Sequence, residues 1–170
     1  MEKGNKMNQQ VLSAISFGIT SGTITALGML VGLDSATSDR FVIVAGLVVM
    51  AVADGLADAC GWHLAEESEM KGGKSKFSQK EIWVTTIFTF LSVCGFILTF
   101  TIPLLLFQQL GTGILVAIAW GMLLLVIFNF YIAKMKKESP MKIILEHILI
   151  AMFVIIVSYW IGDSLAKLIG

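Results

Sequence analysis

The fold is decided by residues 41–63, FVIVAGLVVMAVADGLADACGWH, an apolar run that contains two aspartates, Asp54 and Asp58. A run of this length with no other acidic or basic side chain is about what a helix needs to cross roughly 30 Å of hydrocarbon. An ionised Asp near the centre of such a helix costs roughly 2.5 to 3.5 kcal/mol even on lenient insertion scales. Because packing alone favours Ala or Leu at both positions, the pair predicts an ion or proton site inside a membrane.

The whole chain has the composition of an integral, multi-pass membrane protein. Of its 170 residues, 56% are hydrophobic and only 14% are charged. Four further apolar runs are long enough to span. The sequence therefore predicts an all-α membrane protein with a single transmembrane domain of five helices, over residues 11–33, 41–63, 82–107, 112–133 and 143–162. The first run is too long for a cleavable signal peptide.

The positive charges predict the orientation, because Lys and Arg near the ends of spans stay on the cytoplasmic side. One predicted side has only Arg40 and Lys167. The other side holds Lys3, Lys6, Lys71, Lys74, Lys76, Lys80, Lys134, Lys136, Lys137 and Lys142. This asymmetry predicts a cytoplasmic N-terminus and a C-terminus on the outer side.

Composition also disfavours several classes of protein. The formal net charge is zero, which argues against nucleic acid as a partner. Cys60 and Cys94 lie inside predicted spans, so we expect reduced packing residues rather than a disulfide. No nucleophile or metal-water constellation is present in the sequence, so we expect no enzymatic activity and no permanently bound cofactor.

The two aspartates lie one helical turn apart, so they share one face of the second span, with Met50 one turn further along the same face. Ser21, near the middle of the first span, is expected at the level of Asp54. Taking about 1.5 Å of rise per residue, Glu146 in the fifth span is expected at the depth of Asp58. The predicted metal site therefore consists of Asp54, Asp58, Glu146, Ser21 and Met50.

The chemistry of these groups suits a divalent transition metal. Carboxylate and hydroxyl oxygens bind Mn²⁺ and Fe²⁺, and Met50 or His147 adds the softer character that disfavours Mg²⁺ and Ca²⁺. Two close carboxylates in a low-dielectric setting do not easily both stay ionised, so one is expected to hold a proton when the site is empty. Cation binding would expel that proton, and this exchange predicts coupling between metal and proton movement.

A second acidic cluster follows the second span, where His63, Glu66 and Glu67 precede a loop expected over residues 64–81. Two interpretations are open for this cluster. It is either a solvated helix end or an acidic cytoplasmic entrance that concentrates cations.

Three local features complete the expected layout. A stripe of small side chains on the first span predicts close helix packing. Residues 34–40 are expected to form a turn, and Pro103 is expected to kink or end the third span. The stripe consists of Gly18, Ser21, Thr25, Gly28 and Gly32.

Four segments resemble the vacuolar iron transporter family. They are FGITSGTITALGMLVGL in the first span, ADGLADACGWHLAEES in the second, IPLLLF in the third and SPMKIILEHILIAMFVIIVSYWIG in the fifth. Members of that family are five-span proteins that dimerise and exchange Fe²⁺ or Mn²⁺ for protons. The resemblance implies a homodimer that moves metal out of the cytoplasm, with Glu146 matching the family's acid in the fifth span. It implies the cell membrane in a prokaryote, and a vacuolar or other organelle membrane in a eukaryote.

The chain departs from the family at three places. Where the family has an acid within an Asn-Asp-Gly-like motif, residues 20–22 are Thr-Ser-Gly. The family's second-span methionine falls at Asp58 and its glutamate at Trp62, while a normally small position carries Asp54. We therefore expect the two aspartates to replace the missing first-span acid. The family's glutamate-rich cytoplasmic domain is reduced here to residues 64–81.

Two other functions fit the same features. A proton-coupled transporter of another small cationic solute would keep the acids and the topology. A non-transporting membrane scaffold would pair its buried acids with buried bases, yet no Lys or Arg lies within a predicted span.

Overall fold

The computed structural model describes residues 2–71 and 74–169, and this part of the chain is almost entirely helical. Its helices are α1 Glu2–Thr37, α2 Arg40–Ser68, α3 Gln79–Thr99, α4 Thr101–Leu106, α5 Leu110–Lys136 and α6 Pro140–Ile169. A small antiparallel hairpin, β1 Met70–Lys71 with β2 Lys74–Ser75, lies between α2 and α3.

Five segments are long and apolar enough to cross a membrane, which confirms the predicted all-α, five-span class. They are Met7–Thr37, Arg40–Ser68, Gln79–Leu106, Leu110–Lys136 and Pro140–Ile169. We call the end of the bundle that holds the start of α1 and the α2–α3 and α5–α6 connections the lysine-rich end. The side chains of Lys3, Lys6 and Lys71 lie outside the described part of the structure.

The turn between α1 and α2 is much shorter than the sequence suggested. Helix α1 continues through Thr37, so only Ser38 and Asp39 separate the two helices. Ser38 adopts a left-handed conformation with φ of 48°. The Asp39 carboxylate accepts a hydrogen bond from the Val42 N–H at 3.1 Å, which caps α2. The predicted turn over residues 34–40 is therefore wrong for residues 34–37, which continue α1, and for Arg40, which begins α2.

The connection between α2 and α3 is also shorter than expected, because α2 continues through Ser68. Glu66 and Glu67 therefore belong to a helix rather than to a loop. Helix α3 begins with a capping box, in which Ser78 and Glu81 satisfy each other's backbone N–H groups.

The third span is interrupted near the end opposite the lysine-rich end, as Pro103 led us to expect. Helix α3 ends at Thr99 and α4 resumes at Thr101. Pro103 has no N–H to donate to the carbonyl group of Thr99, four residues earlier, so the regular ladder cannot continue through it.

Helix α1 is the centre of the bundle, where it contacts α2, α3, α5 and α6. Its span is the most buried of the five, whereas that of α6 is the least buried. The core consists of aliphatic side chains and one aromatic ring, and many apolar side chains on the outward faces remain exposed. Fully buried core residues include Leu27, Leu30, Leu47, Ile97 and Phe100. Outward apolar faces of this extent fit contact with lipid.

The stripe of small residues on α1 serves more than one interface. A Cβ atom on Gly18 would lie 2.7 Å from Ser92 Cβ, so this part of the stripe packs on α3. A Cβ on Gly28 would lie 2.7 Å from Val154 Cγ1, so the part of the stripe farther from the lysine-rich end packs on α6. The hydroxyl groups of Ser21 and Thr25 face a third neighbour, α2.

Candidate cation site

Two hydroxyl–carboxylate pairs connect α1 to α2 within the membrane-spanning region. The Ser21 hydroxyl donates to Asp58 Oδ2 at 2.6 Å, and the Thr25 hydroxyl donates to Asp54 Oδ2 at 2.9 Å. Both helices use a spacing of four residues and run antiparallel, so the pairs form two successive rungs. All four side chains are partly buried rather than fully enclosed.

The register of these rungs corrects one prediction. Ser21 was expected at the level of Asp54, but it pairs with Asp58, and Thr25 occupies the level of Asp54. The predicted metal site did not include Thr25, although a signal was available in the sequence. The Ser21–Thr25 spacing on one helix equals the Asp54–Asp58 spacing on its antiparallel neighbour.

Asp54 lies at the midpoint of the second span, since α2 extends from Arg40 to Ser68. Asp58 lies about 6 Å nearer the lysine-rich end, taking about 1.5 Å of rise per residue. Both carboxylates are therefore deeper in the span than the predicted boundaries implied. This depth makes an uncompensated charge at either residue expensive.

The Thr25 hydroxyl has one proton but several acceptors. Besides the Asp54 carboxylate, the carbonyl group of Ser21 lies 3.0 Å from Thr25 Oγ1. When Asp54 is ionised, Thr25 can donate to it. When Asp54 is protonated, its own O–H can donate to Thr25, and Thr25 can then donate to the Ser21 carbonyl. Both protonation states of Asp54 are thus accommodated without moving a helix.

Glu146 does not join the aspartates within one chain, which corrects the predicted five-residue metal site. Its side chain is exposed on α6. Helices α2 and α6 both pack on α1 but make at most marginal contact with each other. The level also differs, because Glu146 lies about 13 Å from the midpoint of α6. Among the described residues, no three His, Cys, Asp or Glu side chains converge to hold a metal ion.

Met50 lies one turn from Asp54 and packs partly buried against the hydrophobic core. Met50 therefore contributes to the packing one turn from the Thr25–Asp54 rung. His147 lies on α6, where its Nδ1–H donates to the carbonyl group of Ile143 at 2.8 Å.

The residues predicted to form a cytoplasmic entrance are divided between two environments. Glu66 is only 6% exposed and accepts a hydrogen bond from the Thr85 hydroxyl of α3. His63 is likewise held against α3, with its Nδ1 2.9 Å from Thr86 Oγ1. Glu67 alone among the three predicted residues is exposed. The helical extension of α2 explains this division, because it turns Glu66 towards α3 rather than towards water.

The Trp62 indole N–H is buried near Glu66 without a well-formed hydrogen bond. Its ring instead contacts Phe17 of α1, with the two ring centroids 5.3 Å apart. These rings lie one turn beyond Asp58 and Ser21, so an aromatic pair bounds the two rungs on the side of the lysine-rich end.

No protein-family model matches this chain, and a search of curated proteins finds no significant relative. The fold and the site together define a class of protein: a five-span membrane protein with two partly buried acids near the middle of its second span. The likeness to vacuolar iron transporters stays a prediction based on the four segments quoted above.

Proposed function

We propose that the protein moves a divalent transition-metal cation, Fe²⁺ or Mn²⁺, out of the cytoplasm in exchange for protons. The observation that carries this proposal is the pair of rungs, in which Asp54 and Asp58 each receive a hydroxyl hydrogen bond at mid-span. No ion pair joins either carboxylate to a base in the described part of the chain. Acids without bases at this depth are typical of ion and proton pathways.

The exchange follows from the chemistry of the carboxylates. With the site empty, proton uptake removes charge from the span and relieves the insertion penalty. An arriving cation is bound by ionised carboxylate oxygens, so Asp54 and Asp58 must release their protons first. The hydroxyl groups of Ser21 and Thr25 donate hydrogen bonds to the carboxylates. Their oxygen lone pairs can also bind the cation as ligands. When the cation leaves on the other side of the membrane, Asp54 and Asp58 take up protons again.

One chain provides too few ligands for the proposed cations, which commonly take six oxygen ligands. The exposed surface of α2 beside the aspartates carries small side chains at Ala53, Ala57 and Gly61. Gly61 has open space around its Cβ position within the chain. Small residues spaced by four allow a second helix to approach closely in lipid. We therefore propose a homodimer that brings two α2 helices together and places four aspartates around a shared axis.

Flux measurement in proteoliposomes tests the exchange. An inward proton gradient should drive Fe²⁺ or Mn²⁺ in the opposite direction. Metal that enters the lumen should expel protons from it, so the lumen should become more alkaline. Metal flux that ignores the gradient would remove the antiport mechanism. If an organic cation shows proton-coupled flux and neither metal does, the protein is better described as a transporter of another cationic solute. If nothing is transported, the scaffold is favoured.

Oxidative crosslinking tests the dimer. With both native cysteines replaced by serine, Ala57→Cys should give a crosslinked dimer in membranes. Leu123→Cys on the exposed face of α5 is the matched control and should stay monomeric. Equal crosslinking of the two variants would contradict the proposed α2 interface.

Accessibility labelling tests the orientation. We propose that the lysine-rich end is cytoplasmic, as the charge asymmetry predicts. A cysteine at exposed Thr37 should react with an impermeant reagent from outside, whereas one at exposed Glu138 should not. The reverse pattern would invert the topology and the direction of transport.

A further inference from the structure

A cavity of about 570 Å³ lies between α1, α5 and α6 at the lysine-rich end. Its size is typical of sites that hold a small ligand or part of a larger one. It extends along α1 from Gln9 to Thr20, which is about 16 Å at the rise of an α-helix. The cavity adjoins the two rungs without including them, because Phe17 and Trp62 line it whereas Asp54 and Asp58 do not.

The lining of this cavity has the wrong charge for a cation pathway. Its described lining residues include no Asp or Glu, whereas Lys136 and His147 contribute two basic groups. Hydroxyl and amide groups of Ser16, Thr20 and Asn129 add further hydrogen-bonding capacity. A cavity that combines basic and neutral polar groups without any acid is suited to an anion.

Both basic groups are free to meet a ligand. The carbonyl group of Ile143 can only accept, so His147 Nδ1–H donates to it and Nε2 has no partner in the described part of the chain. Nε2 donates to an anion when the ring carries its second proton. Lys136 has no ion-pair partner in the described part of the chain. The neighbouring Lys134 differs, because its ammonium group lies 5.4 Å from the centre of the Phe130 ring.

The remaining walls are apolar, with Leu12, Ile132, Met135 and Ile143 beside the polar groups. The cavity is only partly enclosed and lies between membrane-spanning helices, so both a headgroup and the start of an acyl chain can be accommodated. Basic pockets between transmembrane helices are typical binding sites for anionic lipid headgroups. We propose that this cavity binds an anionic phospholipid, with the phosphate group near Lys136 and His147 and an acyl chain along the apolar wall.

Lipid binding to the purified full-length chain tests this proposal, which does not depend on metal transport. Titration with phosphatidylglycerol should raise the thermal unfolding temperature, and phosphatidylcholine with the same acyl chains should not. Lys136→Gln should weaken the phosphatidylglycerol effect about fivefold, the loss expected from one lysine–anion interaction near a membrane surface. His147→Gln should weaken it in the same direction, whereas Lys136→Arg should retain it.

Lys142→Gln is the matched control, because Lys142 is exposed on α6 and lies outside the cavity lining. Phosphatidylglycerol should raise the unfolding temperature of Lys142→Gln as much as that of the parent protein. Native mass spectrometry should show the same bound lipid on both proteins. An equal loss in Lys142→Gln would mean general surface attraction and would overturn the site. Equal stabilisation by phosphatidylcholine, or by inorganic phosphate alone, would overturn an anionic lipid as the ligand.

Discussion

Helix α1 forms two contrasting contacts, one with α2 and one with α6. Towards α2 it presents Ser21 and Thr25, whose hydroxyl groups donate to carboxylates. Towards α6 it presents Ser35, whose hydroxyl group lies 3.1 Å from the carbonyl oxygen of Tyr159. A hydroxyl that donates to a backbone carbonyl stabilises the helix contact and does nothing more. A hydroxyl that donates to a carboxylate can respond when that carboxylate binds a proton or a cation.

The two contacts also differ in how closely the backbones approach. At the α1–α6 contact, a Cβ atom on Gly162 would collide with the Ser35 hydroxyl and the Gly32 carbonyl. At the α1–α2 contact, the aspartates stay partly exposed beside small outward residues. The α6 contact therefore brings the two backbones close together, and the α2 contact leaves room for ligands or a second copy.

The largest effect is expected at the α6 contact. Gly162→Leu forces side-chain atoms against the backbone of α1, so we expect a loss of about 3 kcal/mol or more in the free energy of unfolding. Gly95→Leu is the matched control, because no atom lies within 4 Å of the Cβ position at Gly95. Thermal unfolding of both variants in the same detergent measures the difference. Similar melting temperatures would show that the close α1–α6 contact does not limit the stability of the bundle.

At the α2 contact, the expected effect is on transport rather than on folding. Asp54→Asn and Asp58→Asn remove charge from mid-span, so each should fold at least as well as the parent, within about 1 kcal/mol. Metal flux in proteoliposomes should fall to background in both. If either variant keeps full flux but melts markedly lower, that aspartate is a structural residue and the proposed site is wrong.

At the end of α2 we expect an intermediate effect on stability, which differs between the buried Glu66 and the exposed Glu67. Glu66→Ala removes the acceptor of the Thr85 hydroxyl from a position that is only 6% exposed, so we expect a loss of about 1 to 3 kcal/mol. Glu67→Ala on the exposed face should change stability by less than about 0.5 kcal/mol. Both should keep their metal flux. Reduced flux at normal stability in Glu66→Ala would restore the predicted cytoplasmic entrance.

The smallest changes are expected from the hydroxyl groups. Ser21→Ala and Thr25→Val remove the donors to Asp58 and Asp54 while leaving both acids in place, so the free energy of unfolding should fall by about 1 kcal/mol. Metal flux should fall several-fold, less than in the aspartate variants. Ser35→Ala at the α6 contact is the control, and its flux should be unchanged. Full flux in both α1 variants would mean that the hydroxyl groups do not take part.

Side-chain chemistry and spacing by themselves determined the five spans, the position of the two aspartates on one face of α2, and the interruption near Pro103. These features depend on local rules, because hydropathy sets span length and a missing N–H breaks a helix wherever it occurs. The sequence also marked Ser21 as a neighbour of the acids, although not its correct partner.

Only the tertiary structure decided which side chains meet. After the two-residue turn, α1 and α2 are aligned so that Ser21 pairs with Asp58. Helices α2 and α6 pack on α1 rather than on each other, which keeps Glu146 away from both aspartates. A rise of about 1.5 Å per residue fixes depth along one helix but not the rotation of its neighbour, and rotation determines which face is buried. For the same reason, the buried position of Glu66 could not be predicted from its place in a run of acids.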